Sequence, residues 1–365
     1  MTIRRIASSI AIASMAALTS SGAVAGQEVV LVGGTVVDGN GGAPLPDGVV
    51  IVDGDRIACV GTRAACPIPG GARVVDVSGR FITPGLVDAH VHFSQTGWID
   101  GRPDGLHAPE IYPYLETSEY NRDNPERWHR SYLCSGITAV YDVGGHPWTT
   151  GLPASSDDDV NAAHVRAAGP LITHATRTAL MANDELYTFL PMDTEEEVRS
   201  SVRKLVDMGS TAAKVWYLRP PAARRGELDA RLMQVGEEAR AAGLDLIVHA
   251  TSLREATMAL HAGAKLLVHS VENEPVDDEF LRLLRRNGTV YAPTLVVGAF
   301  WTRARGSIAL NIPPVIDDPN DCRSGNEGQA PADGRAPGAH ARGGSVTRGF
   351  LQPSRARRDE TGDHV

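Results

Sequence analysis

The sequence predicts an α/β protein in which a small β domain is followed by a barrel of alternating strands and helices. Two observations lead to this fold class. Between residues 29 and 84, short runs rich in β-branched residues are separated by glycine turns, a pattern typical of strands and hairpins. From residue 86 onward, strand-like runs alternate with helical patterns, which indicates parallel strands joined by helices.

The β domain is predicted from three runs: VVLVGGTVVDG, GVVIVDGDRIACVG and ARVVDVSGRFITPG. The glycines of the first run resemble part of a dinucleotide-binding loop. In such a loop, however, the glycines lead directly into a helix whose N-terminus faces the phosphates. Here TVVDG follows, so the sequence argues against a nucleotide site.

The barrel is predicted from seven strand-like runs: LVDAHVHF, ITAVYDV, PLITHA, AAKVWY, LDLIVHA, KLLVHS and TVYAPTLVV. Helical patterns lie between most of them. In TEEEVRSSVRKLVDMG, Thr194 has the N-cap position, and SLREATMALHAG closes with Gly263 as its C-terminal cap. A (β/α)8 barrel, which takes about 250 residues, fits this pattern, and a doubly wound open sheet is the alternative.

Composition limits the classes of partner. The chain has 365 residues, 42% of them hydrophobic, and a formal net charge of -9. This size and composition suit a globular α/β domain with a small companion. The negative charge argues against a nucleic-acid surface, which needs clustered lysine and arginine.

Residues 1–25 are predicted to be a secretory signal peptide. Arg4 and Arg5 form a positive start, a short apolar and small-residue stretch follows, and AVA at residues 23–25 resembles a cleavage site. A transmembrane anchor is the alternative, but the stretch is shorter than the ~20 apolar residues of a span and contains serine and threonine. We therefore expect a periplasmic or secreted protein that is not held in a membrane after cleavage.

Export would allow disulfide bonds. Cys59 and Cys66 flank a glycine-containing loop between strand-like runs, and we predict a bridge between them. Two small buried thiols are the alternative, and a zinc knuckle is disfavoured because no second cysteine pair has ligand spacing. The sequence suggests no partner for Cys134 or Cys322.

Four histidines stand at predicted strand ends, the part of a barrel that carries function. His90 and His92 close the first strand, where side chains two residues apart point to the same face. His249 closes the fifth strand and His269 the sixth. Neutral imidazoles gathered in this way predict a site for zinc or a similar divalent ion.

The other histidines carry less weight. His146 follows the second predicted strand and His174 lies late in the third; both are weaker candidates for contacts behind the metal ligands or with substrate. Hydrogen bonding near a rim is the simpler interpretation of both. His107, His129, His164 and His261 fall in helix or loop patterns and need no functional account.

Lys214 is unusual because the chain has three lysines and 32 arginines. It lies within the apolar strand AAKVWY, where burial would lower its pKa. A neutral amine can react with carbon dioxide to form a carbamate, whose two oxygens could bridge two metal ions. A lysine that extends to solvent or forms an ion pair is the alternative.

The runs GRFITPGLVDAHVH, AAKVWY, IVHATSLREATMALHAGAKLLVHS and NGTVYAPTLVV together resemble the amidohydrolase superfamily, within it the imidazolonepropionase-like and Xaa-Pro dipeptidase-like metallohydrolases. The resemblance covers about residues 29–322. It implies two divalent metal ions, most simply zinc: His90 and His92 would hold one, His249 and His269 the other, and a carboxylated Lys214 would bridge them. It implies hydrolysis of amide, peptide or cyclic amide C–N bonds in a small-molecule substrate by a metal-bridging hydroxide.

The carboxyl-terminal part departs from this family. Members end an eighth strand in an aspartate that binds metal and acts as general base, and we find no such strand. From Arg323 the chain has 8 glycines and 7 arginines in 43 residues, which predicts disorder. An out-of-frame tail after about Cys322 would explain the change in composition, and a genuine flexible tail is the alternative.

The expected fold is thus a (β/α)8 TIM-type barrel lacking its eighth strand, together with the N-terminal part of a small β-sandwich domain. We expect four segments: signal peptide 1–25, β-sandwich half 26–83, incomplete barrel 84–322 and tail 323–365. Two functions compete. One is a metal-dependent hydrolase, and the other is a catalytically inactive truncated barrel that at most binds metal. The oligomeric state cannot be predicted from the sequence.

Overall fold

A computed structural model describes residues 28–94, 114–175, 188–295 and Leu310. The predicted signal peptide and the predicted tail lie outside these residues. The chain divides into two compact units, Met1–Pro84 and Gly85–Val365. Among the described residues, no helix combines the length and the apolar composition that crossing a bilayer requires.

The first unit is a five-stranded sheet. Its strands are β1 (Val29–Val36), β2 (Leu45–Asp53), β3 (Arg56–Gly61), β4 (Arg73–Asp76) and β5 (Phe81–Ile82). They lie in the order β3-β2-β1-β4, with β5 also paired to β1. β1 to β3 pair antiparallel, whereas β4 and β5 run parallel to β1. The run ARVVDVSGRFITPG therefore adds two parallel strands, where the sequence suggested a hairpin.

The sheet of the first unit has one buried face. Every second residue of β1 is buried, as expected for a strand whose side chains alternate between two faces. Val30 and Val32 pack against Val49, Ile51 and Cys66. Burial of these β-branched side chains holds β1 and β2 together.

The predicted disulfide is confirmed. Cys59, in β3, is bonded to Cys66, seven residues later. Cys66 is fully buried, so the bridge fastens the loop after β3 onto the core of the sheet. Cys134, for which the sequence suggested no partner, is not a free thiol either.

The second unit contains nine described strands, all parallel to their neighbours. They are β6 (Leu86–Val91), β7 (Ile137–Asp142), β8 (His164–Ala167), β9 (Leu171–Thr173), β10 (Phe189–Pro191), β11 (Ala212–Trp216), β12 (Asp245–His249), β13 (Leu266–Val268) and β14 (Val290–Ala292). One sheet has the order β6-β7-β8 and the other the order β10-β9-β11-β12-β13-β14. β8 belongs to the first of these sheets and β9 to the second. Only residues 168–170 separate the two strands, so the chain passes directly from one sheet to the other.

Helices connect most of these strands. They are α1 (Tyr114–Asp123), α2 (Glu126–Cys134), α3 (Leu152–Ser156), α4 (Glu195–Asp207), α5 (Arg225–Ala241), α6 (Leu253–His261) and α7 (Asp278–Asn287). Thr194 caps α4 and forms a reciprocal capping box with Glu197, as predicted. Gly263 follows α6 with a φ of +88°, a conformation that favours glycine at a helix end.

Apolar side chains pack on both sides of the second unit's strands. On one side, Val215 and Val248 pack with helix residues such as Leu232 and Leu260. On the other side, Ala89 of β6 and Tyr141 of β7 share a cluster with residues that come from distant strands: Ala212, Ile247, Leu266, Val268 and Ala292. Residues from both ends of the strand order meet only if the strands curve around a common interior, an arrangement consistent with a TIM-type barrel.

The structure corrects two details of the sequence interpretation. His164, expected in a helix or loop pattern, begins β8, and the third predicted strand is preceded by this additional segment. β10 is also additional. The stretch where an eighth strand would follow β14 lies outside the described residues, so the prediction of a missing strand stays a prediction.

Candidate active site

The five predicted site residues all lie at or near the carboxyl ends of strands in the second unit. His90 is in β6, and His92 lies two residues later, just beyond the end of the strand. Lys214 lies in β11, and His249 is the last residue of β12. His269 directly follows β13.

Ring contacts show that the four histidines form one cluster. The His90 and His92 ring centroids are 5.3 Å apart, as expected for side chains on the same face of a strand. The His90 ring also lies 4.8 Å from the His269 ring. His269 in turn lies 4.4 Å from His249, so the chain of contacts joins three separate strands.

Lys214 is buried in the interior of the second unit, which also contains the four histidines. Only 2% of its surface is exposed. Burial lowers the pKa of its ammonium to about 7, although the nearby Asp142 carboxylate opposes this shift. A substantial fraction of Lys214 is therefore neutral near pH 7, as the sequence interpretation required.

Burial also favours the neutral form of three of the histidines. It lowers the pKa of His90 and of His249 well below the usual histidine value, and the charge of Lys214 adds to both shifts. The pKa of His269 falls to about 4 for the same two reasons. Neutral imidazoles retain a lone pair, which is the form that binds a metal ion.

The second ring nitrogen of two histidines is held by hydrogen bonds. His92 Nδ1 lies 2.6 Å from the carbonyl oxygen of Gly144, and His269 Nδ1 lies 3.0 Å from Thr294 Oγ1. Metal-binding histidines commonly have their second nitrogen fixed in this way. His90 differs, because its Nδ1 is buried without a hydrogen-bond partner.

The backbone at His269 has an uncommon conformation. Its φ is +78°, and Thr294, whose hydroxyl contacts the His269 ring, has a φ of +48°. Residues other than glycine adopt such values at a cost of about 1–3 kcal/mol, and they cluster at functional sites. The local backbone thus turns the His269 side chain toward the histidine cluster.

Asp142 is a buried residue that was not among the five predicted site residues. It ends β7 and is fully buried. Burial raises the pKa of its carboxyl to about 7, while hydrogen bonds from the amides of Phe93 and Gly144 and the charge of Lys214 oppose this shift. The available sequence signal was its position at the end of ITAVYDV, a predicted strand.

Aromatic side chains lie next to the cluster. Trp216 is two residues after Lys214 in β11, so both point to the same face. The Trp216 ring meets the His249 ring edge to face, with centroids 5.9 Å apart. Phe189 stacks on Trp216 at 5.6 Å, and both residues are half-buried.

The two weaker candidates have structural hydrogen bonds. Buried His146 contacts the Thr188 hydroxyl through Nδ1 at 3.0 Å. His174 Nε2 lies 3.1 Å from the carbonyl oxygen of Leu218. The His174 ring also meets the Tyr217 ring, with centroids 5.9 Å apart.

The donor set can be compared with what a divalent ion requires. Four clustered imidazoles, three of them with a lowered pKa and one of these with a buried and unpartnered Nδ1, suit zinc together with the buried lysine. Within residues 28–94, 114–175 and 188–295, however, no group of three or more His, Cys, Asp or Glu side chains has the spacing of a formed metal site. The residues therefore fit a divalent ion by the chemistry of their donor atoms and by the contacts between their rings.

Two sequence relatives illustrate the extent of the similarity. An imidazolonepropionase from Rhizorhabdus wittichii is 27% identical over 295 residues, which cover 72% of this chain and 68% of the relative. A 5-methylthioadenosine/S-adenosylhomocysteine deaminase from Symbiobacterium thermophilum is 41% identical over 71 residues. That shorter match spans 19% of this chain and only 16% of the deaminase.

Solved structures share the fold. A prolidase complexed with N-methylphosphonate-L-proline matches with a TM-score of 0.59 and 24% identity, over 77% of this chain and 69% of that one. Molinate hydrolase matches with a TM-score of 0.58 and 24% identity, over 77% and 67% of the two chains. At this level of identity the likeness concerns the fold.

The sequence model of the amidohydrolase family matches residues 81–312, which is more than half of the chain. This stretch contains the four clustered histidines and Lys214, and it begins just before the boundary of the second unit. The resemblance inferred from sequence runs is therefore confirmed, and the chain belongs to the amidohydrolase family.

Proposed function

We propose that the chain is built as a binuclear metal-dependent hydrolase that cleaves amide, peptide or cyclic amide C–N bonds in small molecules. The observation that carries the proposal is the gathering of four histidines at the carboxyl ends of strands. The ring contact between His90 and His269, with centroids 4.8 Å apart, brings both pairs of proposed ligands together. The relatives named imidazolonepropionase, prolidase and molinate hydrolase support the reaction class.

The proposed ligands divide into two pairs and a bridge. His90 and His92 would hold one divalent ion, and His249 and His269 would hold the other. Lys214 would bridge the two as a carbamate. Its neutral amine would attack carbon dioxide, a C–N bond would form and the proton would leave, which gives a carboxylate with two oxygen donors. Zinc is the proposed metal because the set combines imidazole nitrogen with oxygen.

When bound, a pair of divalent ions supplies a hydroxide nucleophile at neutral pH and polarises the substrate carbonyl. The protein prepares for this chemistry in two ways. Burial keeps the imidazoles of His90, His249 and His269 uncharged near pH 7. No proton has to leave these rings before they can bind a metal ion. The hydrogen bonds at His92 Nδ1 and His269 Nδ1 hold two of the rings in place.

The aromatic pair supports a substrate with a flat or apolar group next to the scissile bond. Trp216 touches His249 and is backed by Phe189, and half-buried aromatic rings bind such groups by stacking. The pair Trp216 and Phe189 would contact the part of the substrate nearest to the ion that His249 and His269 would hold. A dipeptide, an N-acyl amino acid or a lactam-like compound would meet this requirement.

The domain and compartment assignments are also proposals. Residues 26–83 would be half of a β-sandwich, residues 84–322 the hydrolase barrel without an eighth strand, and residues 323–365 a disordered or out-of-frame tail. We propose removal of residues 1–25 and export to the periplasm or the medium. The bridge between Cys59 and Cys66 supports an oxidising compartment.

The second candidate function is an inactive barrel that at most binds metal. It is favoured by one observation: the sequence shows no strand-like run ending in aspartate after β14. Asp142 is poorly suited to replace that base, because its two oxygens already accept hydrogen bonds from Phe93 N and Gly144 N. Asp317, a carboxylate after β14 that would be another substitute for the base, lies outside the described residues.

One experiment separates these functions. Purified protein is loaded with zinc, its metal content is measured, and hydrolysis of dipeptides, N-acyl amino acids, cyclic amides and lactones is followed with and without chelator. His249→Ala is compared with the control His261→Ala, a histidine on α6 that pairs with Glu279. The hydrolase proposal expects chelator-sensitive turnover that only His249→Ala removes. A lack of turnover, with or without bound metal, would contradict the hydrolase proposal and favour the inactive barrel.

A further inference from the structure

Asp142 joins two chain segments next to the histidine cluster. Its Oδ2 accepts a hydrogen bond from the Phe93 amide at 2.8 Å. Its Oδ1 accepts one from the Gly144 amide at 3.0 Å. The segment that follows β6 and the turn that follows β7 are thus held by one buried carboxyl group.

The turn at Gly144 has little freedom of its own. Its φ of +124° is a conformation that other residues rarely adopt. A Cβ at this position would lie 2.9 Å from Leu171 Cγ and 3.2 Å from the Gly169 carbonyl oxygen. The next amide, Gly145 N, donates to that same carbonyl at 2.9 Å. The Gly144 carbonyl therefore lies between two amides, Gly144 N and Gly145 N, that are each held by a hydrogen bond.

This carbonyl determines which nitrogen of His92 carries the proton. His92 Nδ1 lies 2.6 Å from the Gly144 oxygen, and a carbonyl oxygen can only accept a hydrogen bond. Nδ1 must therefore donate, and in the neutral ring Nε2 then keeps its lone pair. A metal ion bound by His92 would consequently bind at Nε2.

We propose that Asp142 is a positioning residue that acts through Gly144 to hold His92 as the Nδ1–H tautomer, so that Nε2 is the nitrogen whose lone pair would bind a metal ion. The part that concerns metal binding rests on the proposed function, whereas the tautomer of His92 does not. Since Phe93 directly follows His92, the hydrogen bond from its amide to Asp142 fixes the backbone of His92 as well. Asp142 thus restrains both the Gly144 carbonyl that accepts from the His92 ring and the backbone of His92 itself.

The test uses Asp142→Asn, which keeps the side-chain volume but can satisfy only one of the two amides. Protein labelled with 15N-histidine reports the tautomer from the ring nitrogen shifts, and His92→Gln assigns the His92 signals. Zinc affinity is measured in parallel by competition with a chromophoric chelator. Thr294→Val is the matched control, because it removes the hydrogen-bond partner of His269 Nδ1 and leaves Asp142 intact.

We expect wild-type His92 to be protonated at Nδ1, and Asp142→Asn to give a mixture of tautomers with zinc binding about 10- to 100-fold weaker. In Thr294→Val the His92 signals should keep their wild-type shifts. Protonation of wild-type His92 at Nε2 would overturn the inference, as would unchanged His92 signals in Asp142→Asn. If Asp142→Asn does not fold, Asp142→Ser is read by the same shifts. Failure of the wild-type protein to bind zinc would contradict the proposed function and leave the tautomer result to decide this inference.

Discussion

His90 and His269 are in ring contact, with centroids 4.8 Å apart, although β6 and β13 belong to different sheets. The contact exists because the parallel strands curve around a shared interior, which brings the end of β13 opposite β6. One histidine pair alone would offer a single metal ion two nitrogens. The contact brings both pairs of proposed ligands to one place, as the proposed two-ion centre requires.

Lys214 provides the first prediction. Lys214→Ala should lower the zinc content from two ions per chain toward one or none, because the bridge between the ions is removed. Lys214→Glu should keep part of the second ion, since a carboxylate also has two oxygens. Elemental analysis after dialysis gives the stoichiometry. Lys204→Ala, an exposed lysine on α4, is the control, and unchanged zinc content in Lys214→Ala would refute the bridging role.

A second prediction concerns the stability of the metal-free protein in acid. The pKa of folded His269 is lowered to about 4, whereas the unfolded chain has the usual value of about 6.5. Between these values the unfolded chain binds more protons, so His269 contributes stability that is present above pH 6.5 and lost as the pH falls toward 4. The loss approaches about 1.4 kcal/mol per pH unit.

The measurement is urea unfolding in the presence of chelator at pH 7 and pH 5. The wild-type protein should lose more unfolding free energy between these two pH values than His269→Gln does, because glutamine does not titrate. The exposed His164→Gln should behave like the wild type. Equal losses in the wild type and His269→Gln would show that His269 does not stay neutral in the folded chain.

Trp216 is predicted to affect substrate binding more than chemistry. Trp216→Ala should raise KM about two- to tenfold for substrates with an aromatic or proline ring, the range expected for the loss of one stacking contact. The kcat value should change little, because the same contact exists in the ground state and the transition state. Trp216→Phe should restore most of the affinity. A fall in kcat with unchanged KM would place Trp216 in the chemical step instead.

The disulfide of the first unit should contribute measurably to stability. The Cys59→Ser and Cys66→Ser double variant opens a loop with a sequence separation of 7 residues, and the chain-entropy model gives about 2 kcal/mol for a loop of this length. Thermal unfolding with and without reductant should show a lower midpoint for the variant. Reductant should lower the midpoint of the wild type by more than that of the variant, which still contains Cys134 in a bonded form. A variant as stable as the oxidised wild type would contradict this prediction.

Much of the site could be predicted from short-range patterns. The alternation of strands and helices follows from local hydrophobic periodicity, and the spacing of His90 and His92 places both rings on one face of a strand. The position of Lys214 in an apolar strand indicated a buried amine, and its pKa is lowered to about 7. The strand and helix pattern and the faces on which these side chains lie depend on neighbours within a few residues, so the sequence alone determined them.

The tertiary structure decided how these residues meet. Asp142 showed only its place at a strand end, and its role depends on amides at Phe93 and Gly144 that folding brings to it. The strained backbone of His269 and the acceptor for His92 likewise depend on distant segments. Strand register and sheet curvature set these distances, and both result from packing of the whole unit, which no local pattern in the sequence records.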